Sequence, residues 1–413
     1  MIQYKQFDNG LRLVVNKMEG VLSVSIGVLV KTGSMNESQE NNGISHFIEH
    51  VMFKGTENRT AFEISDHIDR IGAHINAFTS KELTCYYTKS TKEYVKETID
   101  ILSDIFFNSK FDSEELEKEK GVVIEEINMS EDTPEEVCLD LLSQSYYGKS
   151  GLGQTILGSK KNIKKFTREH ILGYLDDYYT ADNVVISVAG NVDIKKVESL
   201  IDEYFAQKFT RLKSKKQAKT ELIVPAHLCK SKKIEQTHIG FAMKGISAKD
   251  ENSDAFAIAN IVFGGGMSSR LFQRIREELG LCYSIYSYSS QYKDSGVLEI
   301  YAGVNTSQRD LAVNAIMEEL KEFKKNGITE QEFLRGKAQI KSSFILGQES
   351  SASQMILYAK YLALLDREFN FKERIKKIDA ITIKDVIEVI EKSFGIGDIA
   401  TATVGSKKTP IKI

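Results

Sequence analysis

Asn41-Asn42-Gly43-Ile44-Ser45-His46-Phe47-Ile48-Glu49-His50 is the stretch around which the rest of the chain is read. In an α-helix, which advances about 100° per residue, His46 and His50 stand one above the other and Glu49 falls within about 60° of His46. Two imidazoles and a carboxylate then converge on one point. That set suits a zinc ion held by the two histidines, with Glu49 beside a metal-held water as general base. The competing reading is a pair of surface histidines on an ordinary amphipathic helix. With 7 His in 413 residues, a chance His-x-x-Glu-His somewhere in such a chain is expected about once in a hundred.

A tetrahedral hydrolytic site needs a third protein ligand and one open position. Glu126 is the best donor, in a helix that begins near Ser113, where Asp112 can cap and Glu115 can complete a capping box. Glu119 lies seven residues earlier, two turns back on the same face. One of these glutamates can bind the metal while the other orients a histidine from outside the ligand shell. Glu114, Glu115, Glu117 and Glu125 read as solvated. Val122, Val123, Ile124 and Ile127 predict that the second half of this helix is buried, where an unpaired carboxylate is costly.

His46, Glu49, His50, Glu119 and Glu126 together resemble the pattern of the pitrilysin/insulinase family of zinc metallopeptidases. In that family an inverted His-x-x-Glu-His is followed about 75 residues later by a ligand glutamate, with a further glutamate seven residues before it. The resemblance implies zinc held by His46, His50 and Glu126, Glu49 as base and Glu119 as a supporting carboxylate. The length is similar to that of the mitochondrial processing peptidase catalytic subunit and its bacterial relatives. The fold implied is α+β: two homologous domains, each a mostly antiparallel sheet covered by helices, the LuxS/peptidase-like fold of metalloenzymes.

Composition sets bounds on the alternatives. A chain of 413 residues exceeds the size at which one core usually splits, so two domains are expected. A formal net charge of −3 without a basic domain argues against nucleic acid as a partner. Cys85, Cys138, Cys229 and Cys282 show neither Cys-x-x-Cys pairing nor disulfide-scaffold density, and read as free thiols in a reducing compartment. There is no apolar signal core, no Arg-rich presequence and no run of about 18 apolar residues. A soluble, cytoplasmic protein with no membrane contact is the expectation.

Along the chain, residues 11–30 are strand-like, alternating at period two in Val24-Ser25-Ile26-Gly27-Val28. The histidine helix is expected to run on through Val51, Met52 and Phe53 to Gly55. Thr60 and Glu63 form a capping box for the next helix. Gly72 to Ser80 then leads to a strand through Cys85, Tyr86 and Tyr87. In the family the matching segment is an exposed edge strand on which substrate adds as an extra strand, which makes Asn76, Ala77 and Phe78 the substrate-binding residues; by pattern alone an ordinary core strand is as good. His67 and His74 read as structural or surface residues. Helices are expected at about 92–107 and 113–130, and another begins at Thr133-Pro134.

The second half repeats the first. Thr167-Arg-Glu-His-Ile-Leu recurs 215 residues later as Thr382-Ile-Lys-Asp-Val-Ile, each leading to a strand that ends in Gly190 or Gly405. Two duplicated domains follow, at 1–207 and 227–413, joined by a basic linker at 208–226. Aligning Val51-Met52-Phe53 with Ile261-Val262-Phe263 puts Phe256, Ala259 and Asn260 where the metal triad stands and Ser342 opposite Glu126, so the second domain has no metal site. It carries instead Arg276 and Tyr283, seven apart as in the family, where the resemblance implies a contact to the substrate's carbonyl oxygens. Gly264-Gly265-Gly266 reads as a bend between helices. Family members enclose substrate between two halves of about 400 residues each, so the resemblance implies a homodimeric chamber that cuts short or unfolded peptides. The rival is a scaffold subunit of the same fold, which usually loses part of the zinc set.

Overall fold

The computed structural model describes residues 1–211, 214, 223, 225–395, 397–407 and 409–411. Most of the expected linker, with Lys213, Lys215, Lys216 and Lys219, lies outside the described residues. Two compact units emerge. The first holds Met1–Ile127, Ile345–Phe369 and the described residues of Thr155–Lys219; the second holds Asn128–Gln154, Asn370–Ile413 and the described residues of Thr220–Phe344.

The first unit is built on six strands: β1 (Ile2–Gln6), β2 (Arg12–Lys17), β3 (Ser23–Val30), β4 (His74–Thr79), β5 (Thr84–Thr91) and β6 (Val184–Gly190). Their order is β1-β2-β6-β3-β5-β4, antiparallel except for the parallel pair β2/β6. Its helices are α1 (Ile44–Val51), α2 (Ala61–Arg70), α3 (Val95–Asn108), most of α4 (Ser113–Asp132), α6 (Lys160–Lys165), α7 (Arg168–Tyr178) and α8 (Ile194–Tyr204). They bury Val24, Ile26, Val28, Phe47, Ile48, Ile99 and Leu102 in one core. Between α4 and α6 lies α5 (Pro134–Tyr147), which starts with Pro134 as expected and packs in the other unit.

The second unit has five strands, β7 (His227–Ser231), β8 (Gln236–Lys244), β9 (Cys282–Gln291), β10 (Gly296–Asn305) and β11 (Ala400–Gly405), in the order β7-β11-β8-β10-β9. Substituting β2, β6, β3, β5 and β4 in turn reproduces the first sheet without β1, down to the parallel pair β7/β11. Its helices α9 (Ser253–Gly264), α10 (Arg309–Asn326), α11 (Glu330–Gly347), α13 (Phe371–Ala380) and α14 (Ile383–Ser393) cover it, and α12 (Ser351–Leu365) is the remaining α-helix among the described residues. The sequence repeat is seen in matching capping boxes, Thr167/His170 before α7 and Thr382/Asp385 before α14.

Contiguous halves do not describe the packing, because one helix is exchanged in each direction. α12, from the second half of the sequence, lies on β3 and β6 of the first sheet, where Met355, Ala359 and Ala363 share a core with Leu29, Cys85 and Val185. α5, from the first half, lies on β8 and β11 of the second. The strands have made room at equivalent places. A Cβ on Gly27 in β3 would stand 2.2 Å from Met355 Sδ, and one on Gly240 in β8 would stand 2.9 Å from Leu142 Cδ2. We expect Gly27→Ala to destabilise the protein by about 1–3 kcal/mol through overpacking. Combined with Met355→Ala it should cost less than the sum of the two single changes, read from thermal unfolding.

Candidate metal centre

α1 is shorter than expected, ending at Val51 with a turn through Met52 to Lys54. Its first turn is held from upstream. Gly43 sits at φ 99, where a Cβ would lie 2.8 Å from Leu157 O and 2.9 Å from Gly158 Cα, so only glycine suits. The buried Glu37 carboxylate accepts the N–H groups of Gly43 (2.7 Å) and Ser45 (2.8 Å) and Asn42 Nδ2 (2.9 Å), satisfying donors that a helix start leaves open. Burial pushes Glu37's pKa up, with those bonds opposing it.

Helical spacing then does what the sequence implies. The ligand atoms of His46, His50 and Glu126 all lie within 4.8 Å of one another. Glu126 Oε2 is 3.6 Å from His46 Nε2 and 3.4 Å from His50 Nε2. Bonds of about 2.0–2.2 Å to a tetrahedral zinc place ligand atoms about 3.3–3.5 Å apart. The donor set fits zinc. Charge supports the same fit: Glu49, Glu119 and Glu126 face only Lys54 as a permanent cation among the described residues in ion-pair contact, and a divalent ion closes the balance.

The two glutamates of α4 have the reverse burial from that expected. Glu126 is half-exposed, with its side chain 42% accessible, and Val122 is exposed. Glu119 is the buried one, at 4%. Its Oε1 is 2.8 Å from His50 Nδ1 and its Oε2 accepts from Lys54 Nζ at 2.7 Å. A carboxylate on Nδ1 leaves Nε2 free for metal, as metal-ligating histidines generally require. Burial raises the Glu119 pKa, but the bonds from His50 and Lys54 outweigh it and the net shift is downward. At the start of α4, Asp112 caps the N–H groups of Glu114 and Glu115 as expected, whereas the Glu115 carboxylate pairs with Lys118.

The two imidazoles differ. Burial, with His50 beside it, pushes the His46 pKa down to about 4, so its lone pair is available at neutral pH. Its Nδ1 is buried without a hydrogen-bond partner among the described residues, and its ring instead meets His50 edge-on at 4.6 Å. For His50, burial works downward but Glu119, Glu126 and Glu49 together raise the pKa. Glu49 is pushed up mainly by burial, and accepts a 2.5 Å hydrogen bond from Thr79 Oγ1.

Thr79 ends β4, and β4 is the terminal strand of its sheet, paired only with β5 among the described residues. Asn76, Ala77 and Phe78 thus lie on a sheet edge that runs into the residue holding Glu49. In the second unit, Phe256 and Ala259 are buried core of α9, and Asn260 bonds Ser287. Arg276 and Tyr283 are brought together, with the guanidinium 4.8 Å from the Tyr283 ring. Arg270 is bound to Glu332 through two bonds of 2.8 and 2.9 Å. Arg274 pairs with Glu278.

Lys54, Glu37 and Thr79 were not found from the sequence: Lys54 and Thr79 act on Glu119 and Glu49, remote in the chain, and Glu37 turns back on α1 across the loop that precedes it. A Lys four residues past the motif carries no signal by itself.

An α+β protein with duplicated sheets and a His/His/Glu donor set on α1 and α4 of its first unit has the make-up of a zinc-binding protein. The comparisons name the group. A sequence model described as insulinase, peptidase family M16, matches residues 12–160, and one described as the peptidase M16 inactive domain matches residues 165–340. An "uncharacterized zinc protease" of Bacillus subtilis is 43% identical over 389 residues, covering 94% of each chain. Another, of Rickettsia felis, is 37% identical over 392 residues, covering 94% of this chain and 93% of that one. The chain belongs to the insulinase family, peptidase family M16. Among solved structures, a protease from Helicobacter pylori superposes with a TM-score of 0.88 at 23% identity, over 98% of this chain and 99% of that one. A peptidase M16 inactive domain from Pseudomonas fluorescens gives 0.91 at 17%, over 100% of both. These two share the fold.

Wild-type protein is expected to hold one zinc per chain, and His50→Ala and Glu126→Gln to lose it; unchanged metal content in both variants would refute the site. Glu119→Gln should weaken zinc affinity about 10–100-fold. Zinc affinity should decline as pH falls below the raised His50 pKa, because a proton there competes with the metal.

Proposed function

We propose that this protein is a zinc-dependent endopeptidase acting on short or unfolded peptides, with Glu49 as general base. The reading rests on the convergence of His46, His50 and Glu126 beside Glu49, at the end of an edge strand. His46, His50 and Glu126 would hold the zinc, which would supply Lewis acidity toward the scissile carbonyl and a water made nucleophilic near neutral pH. Glu49 takes the proton of the attacking water and returns it to the leaving amine, a task that its raised pKa suits. Thr79 fixes Oε2, which assigns Oε1 to the water. Glu119 keeps the His50 ring in orientation.

Substrate pairs as an added strand on Asn76, Ala77 and Phe78, through backbone groups that are indifferent to side chains. Because β4 runs into Thr79, a peptide on that edge is led toward Glu49. Arg276 and Tyr283 donate hydrogen bonds to the scissile carbonyl or its neighbour as charge develops. The duplicated domains are 1–207 and 227–413. Two copies enclose the substrate, and Arg276 and Tyr283 of each serve the zinc site of the other. We place the enzyme in the cytoplasm, in keeping with four free thiols and with no described helix long and apolar enough to cross a membrane. A catalytically idle scaffold is the second reading; the match of residues 165–340 to a domain described as inactive suits it, and the complete donor set of the first unit speaks against it.

Glu49→Gln should retain zinc and bind peptide while losing at least about 10²-fold in turnover of a pooled peptide library; turnover retained in that variant would assign the base elsewhere, chelator-insensitive cleavage by wild type would refute the metal dependence, and absent cleavage would favour the scaffold.

Composite sites are tested by remixing dissociated Glu49→Gln and Arg276→Ala homodimers, each nearly inactive. Each mixed dimer has one complete site and recovers up to about half the wild-type activity if the sites are independent. No recovery, with exchange confirmed, places Arg276 in its own chain's site or in none.

A further inference from the structure

Three arginines lie close together in the chain after α9; Arg270 and Arg276 both stand over rings, but only Arg276 lacks a close carboxylate. Arg270 is committed to Glu332 and to the carbonyl of Gly327, and Arg274 to Glu278. Arg276 has a carboxylate only at 3.6 Å, from its exposed neighbour Glu277. Its guanidinium carbon instead stands 4.6 Å from the centroid of Phe272 and 4.8 Å from that of Tyr283. Both are within cation–π range.

The backbone builds this arrangement. Phe272–Glu278 is a turn of π-helix, a rare geometry that recurs at functional sites. It closes with Leu279 N–H on Arg274 O, Gly280 N–H on Arg276 O and Leu281 N–H on Ile275 O, at 3.0–3.1 Å. Gly280, at φ 61, reverses the chain into β9, whose second residue is Tyr283. Ile275, fully buried, anchors the turn. Tyr283 is 75% exposed, so it reaches Arg276 from the solvent side, while the half-buried Phe272 belongs to the same helical turn as Arg276.

We propose that Phe272 is a positioning residue for Arg276: with Tyr283 it holds the guanidinium by its faces and leaves the N–H edge to meet a peptide carbonyl. This rests on the reading of Arg276 as a substrate contact. An unpaired arginine on a long stem samples many rotamers, and ring contacts restrict them at no cost in donors, whereas a carboxylate partner would occupy the donors that the substrate needs. Rigid placement of such a donor acts on the chemical step more than on binding.

The test uses full-length protein, a pooled library of quenched fluorescent peptides, and metal analysis and thermal unfolding as controls. Phe272→Leu should lower kcat about tenfold with KM within about twofold, with zinc content and melting midpoint as in wild type. Phe272→Tyr should restore activity. In an Arg276→Ala background Phe272→Leu should cost nothing further, and the Arg276 Nε–H should be more mobile by ¹⁵N relaxation in Phe272→Leu than in wild type. If Phe272→Leu fails to fold, Phe272→Met serves in its place. Wild-type turnover in the folded variant, or an equal loss in the Arg276→Ala background, would overturn the positioning role while leaving Arg276 a substrate contact. Full activity of Arg276→Ala itself would remove that contact, and the proposal with it.

Discussion

The buried carboxylate of Glu119 is the contact on which the centre depends. It joins α4 to α1 by accepting from His50 on one oxygen and from Lys54 on the other. A carboxylate 4% exposed is tolerated only where its oxygens are met by donors, so this pair fixes both the translation of α4 along α1 and its rotation. Glu126 lies two turns further along the same helix, so its backbone position follows from that lock. The spacing of seven is thus a mechanical coupling: the residue that is paired locks the helix, and the residue that is left half-exposed is carried to the histidines.

What was legible in the sequence is local. His46, Glu49 and His50 share a helix face because of their spacing, and capping boxes such as Thr60/Glu63 and Thr382/Asp385 are written in four residues. The edge position of β4 was read through the resemblance, since nothing in Asn76-Ala77-Phe78 distinguishes an edge from an interior strand. What escaped depends on how the chain folds back on itself. Glu37 caps α1 across a loop, Thr79 reaches Glu49 from 30 residues away, and Lys54 has meaning only once α4 is alongside. Burial along α4 was misassigned because apolar neighbours in sequence point to different sides of a helix: Val123 is buried and Val122 exposed.

Duplication explains why two sheets of the same order carry different chemistry. Both keep the covered core and the glycine under the exchanged helix, which are requirements of packing. The side chains facing the metal position are free of that requirement, and in the second unit they have become Phe256, Ala259 and Asn260. Phe256 and Ala259 now serve burial.

The exchange of α5 and α12 has a consequence for the order of events during synthesis. The first sheet is covered on its α12 side by Met355, Ala359 and Ala363, which leave the ribosome well after the last strand of that sheet. Until then a nascent chain that already carries His46, His50 and Glu126 has one apolar sheet face bare. The first unit, which takes in Ile345–Phe369, therefore cannot be complete until most of the second half of the chain has been made.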